Sequence, residues 1–289
     1  MSGERGAGSV LITGATDGLG KAAALLLAER GYRVFAAGRS PEKRAQLDLL
    51  AREKRISLES LELDVCDDHS VQAAVRYVLA KVGAIDVLIN NAGIGYMGTL
   101  EDLQVADWRR QFETNVFGVL RVTQAALPSM RERKRGRILM MSSVAGLVTL
   151  PAQGAYSSST HALEGLTNAL RLEMFPFGID VVLIEPGYIA TGMQQTAADL
   201  SKGYQEIFKT SPYAKLYELF QASAKSARAK SKTTPEDCAR VILRAIEAPR
   251  PKPRYGVTPL ATVVKWGKRI LSDRAGDALI RRRLGIRRD

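Results

Sequence analysis

Val10-Leu11-Ile12-Thr13-Gly14-Ala15-Thr16-Asp17-Gly18-Leu19-Gly20 is a short apolar run that stops in a glycine-rich turn, and a helical pattern follows from Lys21 to Arg30. Strand, tight turn and helix in that order make a phosphate cradle. The glycines let the backbone approach a pyrophosphate, while the first amides of the helix and the positive end of its dipole face the negative charge. On its own such a turn is a weak signal, because glycine-rich turns are common for packing reasons.

The flanking sequence repeats the alternation. Apolar runs at Arg33 to Ala37, Ile56 to Leu63, Ile85 to Ile89, Arg137 to Met141 and Ile179 to Ile184 read as buried strands. Helical patterns from about Ser70 to Val82 and from Ala106 to Arg135 lie between them, the second broken near Pro128. With no internal repeat, this pattern predicts an α/β fold, a doubly wound parallel sheet with helices on both faces. Ligands then sit beyond the carboxyl ends of the strands. The organisation expected is one domain over residues 1–249, with residues 250–289 as a basic extension of it. Thr234-Pro235-Glu236-Asp237 starts a helix that runs to about Glu247, and Tyr255 to Thr258 reads as a last short strand. Between them, residues 192–232 leave the alternation and are rich in large apolar groups such as Tyr204, Phe208, Tyr217 and Phe220. Two readings carry equal weight there: a lid over a lipophilic substrate, or ordinary helix-on-core packing.

At 289 residues and 46% hydrophobic, the chain can bury a full core. No targeting segment and no run of eighteen apolar residues is visible, so a soluble, cytoplasmic protein is expected. Cys66 and Cys238 lack ligand spacing and read as ordinary thiols; His69 and His161 are isolated helix residues. The net charge of +12 is uneven: from Arg250 onward twelve Lys/Arg stand against three Asp. Such a tail can attract nucleic acid, anionic lipid or an acidic partner. It lacks interleaved aromatics and any groove-reading motif, so nucleic acid is not expected and a solvated helical face is preferred to membrane-surface contact.

The chemistry concentrates between Arg137 and Leu166. Ser143 follows a strand and Tyr156 opens a helix thirteen residues later, so both can meet in one small cavity. Tyr156, Thr160 and Leu163 share a helix face. That arrangement suits proton transfer to or from a carbonyl or alcohol oxygen.

Taken together, Thr13-Gly-x-x-x-Gly-x-Gly, Asn90-Asn91-Ala92-Gly93, the Ser143/Tyr156 pair and Pro186-Gly187 resemble the motifs of the short-chain dehydrogenase/reductase family. The resemblance is strong from about Ser9 to Thr191 and diffuse afterwards. It implies a Rossmann-like fold, an NADP(H)- or NAD-linked oxidoreductase activity, and a homodimer or homotetramer. Tyr156 becomes the acid/base, Ser143 the holder of the substrate oxygen, and Asn115 the residue that bends its helix and holds a water. Cofactor contacts then fall on Thr13, Gly14, Thr16, Asp17, Gly18, Leu19 and Gly20, on Arg39 and Ser40, on Asp64 and Val65, on Asn91, Ala92 and Gly93, and on Tyr156, Pro186, Gly187, Ile189 and Thr191. Gly38 stands where the family's NAD-users carry Asp, and Arg39 follows it, so NADP(H) is expected. Asp17 argues mildly the other way.

One residue departs from the pattern. The family's signature is Tyr-x-x-x-Lys, whose lysine lowers the phenol's pKa, and here its place is taken by Thr160. The leading expectation is an NADP-dependent oxidoreductase for a small lipophilic ketone or alcohol, slowed at this step. The alternative is a catalytically silent NADP(H)-binding scaffold or redox sensor. No other lysine is obviously placed to substitute, Lys202 being conceivable.

Overall fold

A computed structural model describes residues 8–189 and 193–287. Thr191 lies outside the described residues. Seven strands form one sheet, and each is parallel to its neighbours: β1 (Ser9–Ile12), β2 (Arg33–Gly38), β3 (Leu58–Glu62), β4 (Val87–Asn90), β5 (Gly136–Met141), β6 (Ile179–Glu185) and β7 (Arg254–Gly256). Their order, β3-β2-β1-β4-β5-β6-β7, reverses direction between β1 and β4. A crevice opens at such a switch point beyond the strand ends.

Period-2 alternation assigns each strand side chain to one of two cores. Leu11, Phe35, Leu88, Ile138, Met140, Val181 and Leu183 face helices α3 (Asp68–Val82), α5 (Val119–Glu132) and α6 (Gly154–Met174). Val10, Ile12, Val34, Ala36, Ile89, Leu139, Val182 and Ile184 face α1 (Gly18–Glu29), α2 (Pro41–Lys54) and α10 (Pro235–Glu247). Both faces are therefore dry, which is why the strands read as continuous apolar runs. Each fully buried Leu, Ile, Val or Phe contributes about 1.5–3 kcal/mol of transfer free energy. Arg137 fastens the bottom of the sheet: its guanidinium donates to the carbonyls of Ala245, Ile246 and Ala248 at the end of α10, and it pairs with Asp180 at 2.7 Å.

The long helical pattern after Ala106 is broken, though not at Pro128. Helix α4 (Val105–Phe112) passes into a π-helical stretch, Glu113–Gly118, and α5 then runs unbroken through Pro128. Pro128 and the Gln124 four residues before it are both exposed, so water can take the carbonyl that proline cannot satisfy. The break falls instead where Asn115 engages the chain beyond β4 (below).

Residues 193–230 form α7 (Met193–Leu200), α8 (Gln205–Thr210) and α9 (Ala214–Lys230). The tail folds as α11 (Pro259–Ile270) and α12 (Asp273–Leu284). Both remaining thiol and imidazole readings hold: Cys238 is buried, with its pKa pushed up to about 12, Cys66 is half-buried, and His161 bonds the Ser157 carbonyl of its own helix. Among the described residues no group of His, Cys, Asp and Glu could hold a metal.

Candidate active site

The glycine turn after β1 is held from below by the end of β4. Thr13 Oγ1 accepts the N–H groups of Asn91 and Ala92, each at 3.0 Å, and Asn91 Nδ2 donates to the carbonyls of Thr13 (3.0 Å) and Gly14 (2.9 Å). Asn91 thus holds the turn's backbone, and Asn90 donates to Thr123 Oγ1 at 2.9 Å inside the sheet. Gly14 has φ +62°, and a Cβ there would stand 2.8 Å from Ala92 Cα. At Gly20 a Cβ would stand 2.4 Å from Asn91 Nδ2 and from the Gly14 carbonyl. The turn therefore leaves no room for side chains beneath it, and its backbone with the start of α1 forms a cradle suited to a diphosphate.

Further out, Asp17 caps α1, accepting the Gly18 N–H at 2.7 Å, and pairs with Lys43 at 2.5 Å. The hydrogen bond from Lys43 holds its carboxyl below the usual range. Ser40 caps α2 through the Lys43 N–H. Arg39 is 63% exposed and reaches Asp64 at 3.7 Å. Asp64 Oδ1 accepts the Cys66 N–H, while Val65 is buried against Gly118. A Cβ at Gly38 would stand 2.5 Å from Thr16 Cγ2, so glycine is demanded there by Thr16 as well as permitting an anion nearby. Lys43 is a cation at this corner that the sequence reading missed, because it lies on a helix whose only visible signal is the Ser40-Pro41 start.

A cleft opens beside the turn, lined by Leu19, Asn91, Ala92, Gly93, Asn115, Ser143, Tyr156, Thr160, Pro186, Gly187 and Ile189 among others. Ser143, two residues beyond β5, lines the cleft together with Tyr156. Burial pushes the Tyr156 phenol above its ordinary value near 10, and the Ser143 hydroxyl opposes this only in part. Among the described residues no cation contributes to it. Thr160 is 4% exposed, and its hydroxyl points back to the carbonyls of Tyr156 (3.1 Å) and Ser157 (2.9 Å) of its own helix. Lys202 is not a substitute: it pairs with Asp199 at 2.6 Å, and it does not line the cleft.

Asn115 spends its amide on the chain after β4. Its Oδ1 accepts the Ile94 N–H and its Nδ2 donates to the Ile94 carbonyl, both at 2.9 Å, with Ser159 Oγ at 3.3 Å. The fully buried Gln111 repeats the pattern one turn earlier, accepting from Tyr96 N–H and donating to the Ile94 carbonyl. Beneath Ser143 lies a buried ion cluster. Ser142 donates to Glu164 at 2.5 Å, and Arg254 of β7 pairs with both Glu164 and Glu185. Tyr156, Thr160 and Glu164 recur every four residues on α6, so the spacing did contain Glu164; its partner Arg254, ninety residues away, had no local signal.

The aromatic segment turns away from the cleft. Tyr204, Phe208, Tyr217 and Phe220 are buried with Ile94, Tyr96 and Leu103 in a third core, where the Phe208 and Tyr217 ring centroids are 4.2 Å apart. Tyr217 donates to Asp102 at 2.6 Å, and Tyr204 to Asp107. Among the described residues none from 193 to 232 lines the cleft, so these aromatics follow the core-packing reading.

A family model described as short chain dehydrogenase matches residues 9–201. The chain is 44% identical over 189 residues to the uncharacterized oxidoreductase YusZ of Bacillus subtilis, covering 65% of this chain and 67% of that protein. To human 17-beta-hydroxysteroid dehydrogenase type 1 it is 36% identical over 255 residues, covering 86% and 77%. A short chain dehydrogenase/reductase from Burkholderia phymatum, solved in complex with NAD, superposes with a TM-score of 0.76 at 26% identity, covering 89% and 91% of the two chains.

Proposed function

This chain belongs to the short-chain dehydrogenase family, and from that premise we propose that it is an NADP(H)-dependent oxidoreductase, reducing a ketone on a lipophilic substrate to a secondary alcohol. The observation that carries the reading is the convergence of Ser143 and Tyr156 on one cleft, bounded by Leu19 of the glycine turn and by Ile189. A bound reduced nicotinamide supplies a hydride to the carbonyl carbon. Tyr156 gives its hydroxyl proton to the carbonyl oxygen, and Ser143 steadies that oxygen with a hydrogen bond. Protons and electrons then balance: hydride to carbon, proton to oxygen, and a phenolate that regains its proton from solvent. Asn115 and Gln111 act as positioning residues, holding the Ile94 loop against α6.

Reduction is the favoured direction because the phenol is held protonated. The protonated form that reduction needs is the one present at neutral pH, whereas oxidation would need the scarce phenolate; without a cation to stabilise the phenolate left behind, proton donation is slowed rather than abolished. The lipophilic substrate class rests on the likeness to a hydroxysteroid dehydrogenase. A homodimer or homotetramer is supported by exposed Phe117 on the π-helical stretch and by Leu172 and Phe175 at the end of α6, 74% and 82% exposed.

NADP(H) rather than NAD(H) is proposed from Arg39, which is exposed at the end of β2, with Ser40 and Lys43 beside it. Asp17, the one acid that argued otherwise, is neutralised by Lys43. NADPH is expected to bind at least about tenfold more tightly than NADH, a difference of about 1.4 kcal/mol. Arg39→Ala is expected to bring the two dissociation constants within about threefold by weakening NADPH alone. Equal affinities in the native protein would refute the preference.

A second reading, a silent NADP(H)-binding scaffold or redox sensor, draws on the Thr160 hydroxyl being turned into its own helix. Ketone turnover by the native chain decides between them.

A further inference from the structure

The placement of α11 gives the basic tail an apolar face as well as a charged one. Its residues Val263, Trp266 and Ile270 are 67%, 54% and 78% exposed. At spacings of three and four they form one stripe along the helix, and Leu271, 42% exposed, follows at its C-cap. The opposite face carries buried Ala261, which packs against Gly256 of β7. Twelve residues of helix span about 18 Å. Exposed apolar stripes of this kind mark an interaction surface.

Charge decides what covers it. The forty residues from Arg250 hold twelve Lys/Arg against three Asp. Exposed Lys268 on α11, and Arg274, Arg281, Arg282 and Arg283 on α12, outnumber exposed Asp273 and Asp277. A second copy of this chain laid on the stripe would bring two like-charged tails together, whereas an anionic surface would attract the tail at the same time as the stripe is buried. Among the described residues no helix is long and apolar enough to cross a membrane. We propose that α11 is a peripheral membrane-docking helix that lies in the surface of an anionic phospholipid bilayer, with Val263, Trp266 and Ile270 inserted among the lipids. A tryptophan in such a stripe sits well at the headgroup level.

The helix also touches the site. Its N-cap Thr258 lies against Gly187 of the cleft, where a Cβ on the glycine would stand 2.3 Å from the threonine hydroxyl, and α11 packs on the turn Val144–Gly146 that follows Ser143. Docking thus brings the cleft's edge close to the bilayer, the phase in which a lipophilic ketone dissolves. That last step rests on the proposed reductase activity; the docking itself does not.

Co-sedimentation of the full chain with phosphatidylcholine vesicles containing about one third phosphatidylglycerol tests the docking. Binding is expected with these vesicles, weakened by salt and by omission of the anionic lipid, together with a blue shift of tryptophan emission that Trp266→Phe abolishes. Ile270→Asp, at a site 78% exposed, is expected to reduce partitioning at least about tenfold while leaving the melting temperature and NADPH affinity unchanged. Absence of vesicle binding, or binding that Ile270→Asp leaves intact and emission does not register, overturns the proposal. Ketone reduction in vesicle-free buffer reports separately on the enzyme reading.

Discussion

Replacing Thr160 with lysine is expected to raise kcat for ketone reduction by about 10²- to 10⁴-fold, the range over which a single acid–base contributor acts. Position 160 lines the cleft one helical turn beyond Tyr156, so a lysine's flexible stem can carry its ammonium into the open space between the phenol and the glycine turn. There it would stabilise the phenolate left after proton donation and lower the phenol's pKa electrostatically. Thr160 does neither, since its hydroxyl is committed to the Tyr156 and Ser157 carbonyls. The substitution also places a charge at a residue that is 4% exposed, so a modest fall in melting temperature is expected alongside the gain. Rates measured over a panel of lipophilic ketones check this. Equal and negligible turnover by both proteins would favour the silent binding protein over the slow enzyme.

The native protein should show opposite pH behaviour in its two directions. Burial raises the Tyr156 pKa above its ordinary value near 10, so the phenol is protonated throughout the neutral range. Reduction, which needs the protonated form, is expected to be flat from about pH 6 to about pH 9. Alcohol oxidation needs the phenolate, whose fraction grows tenfold per pH unit below the pKa, so its rate should climb about 10³-fold between about pH 7 and about pH 10. The ratio of the two also satisfies the overall equilibrium, which releases one proton on oxidation. In the Thr160→Lys protein the break in the oxidation profile should move to lower pH. Initial rates with buffered NADP⁺ and NADPH measure both limbs, and an oxidation rate independent of pH would show that Tyr156 is not the base.

Much of this architecture was legible because it is written locally. Val10-Leu11-Ile12 and its glycines occur at one place in the chain, and strands buried on both faces show as unbroken apolar runs. The Ser143, Tyr156 and Asn115 cluster was legible through spacing and resemblance. What escaped depends on distant partners or on direction. Pro128 is a helix breaker in isolation, yet it sits on an exposed side where its helix continues, while the irregularity gathers at Asn115 through a contact with Ile94. The aromatics of residues 204–220 cannot announce from composition which way they point, and they turn into the third core. Arg254 reads as one charge in a basic tail, though it pairs with Glu164 and Glu185 beneath the cleft.

The central claim, that the Tyr156 phenol donates the proton which accompanies hydride transfer, is tested most directly by a single-turnover experiment with Tyr156→Phe. Enzyme loaded with NADPH is mixed with ketone, and loss of nicotinamide absorbance is followed in the native and Thr160→Lys backgrounds. The account predicts a fall of about 10²- to 10⁴-fold in the transfer rate in both, with NADPH affinity held within about twofold. A phenylalanine variant that transfers hydride as fast as its parent would contradict it.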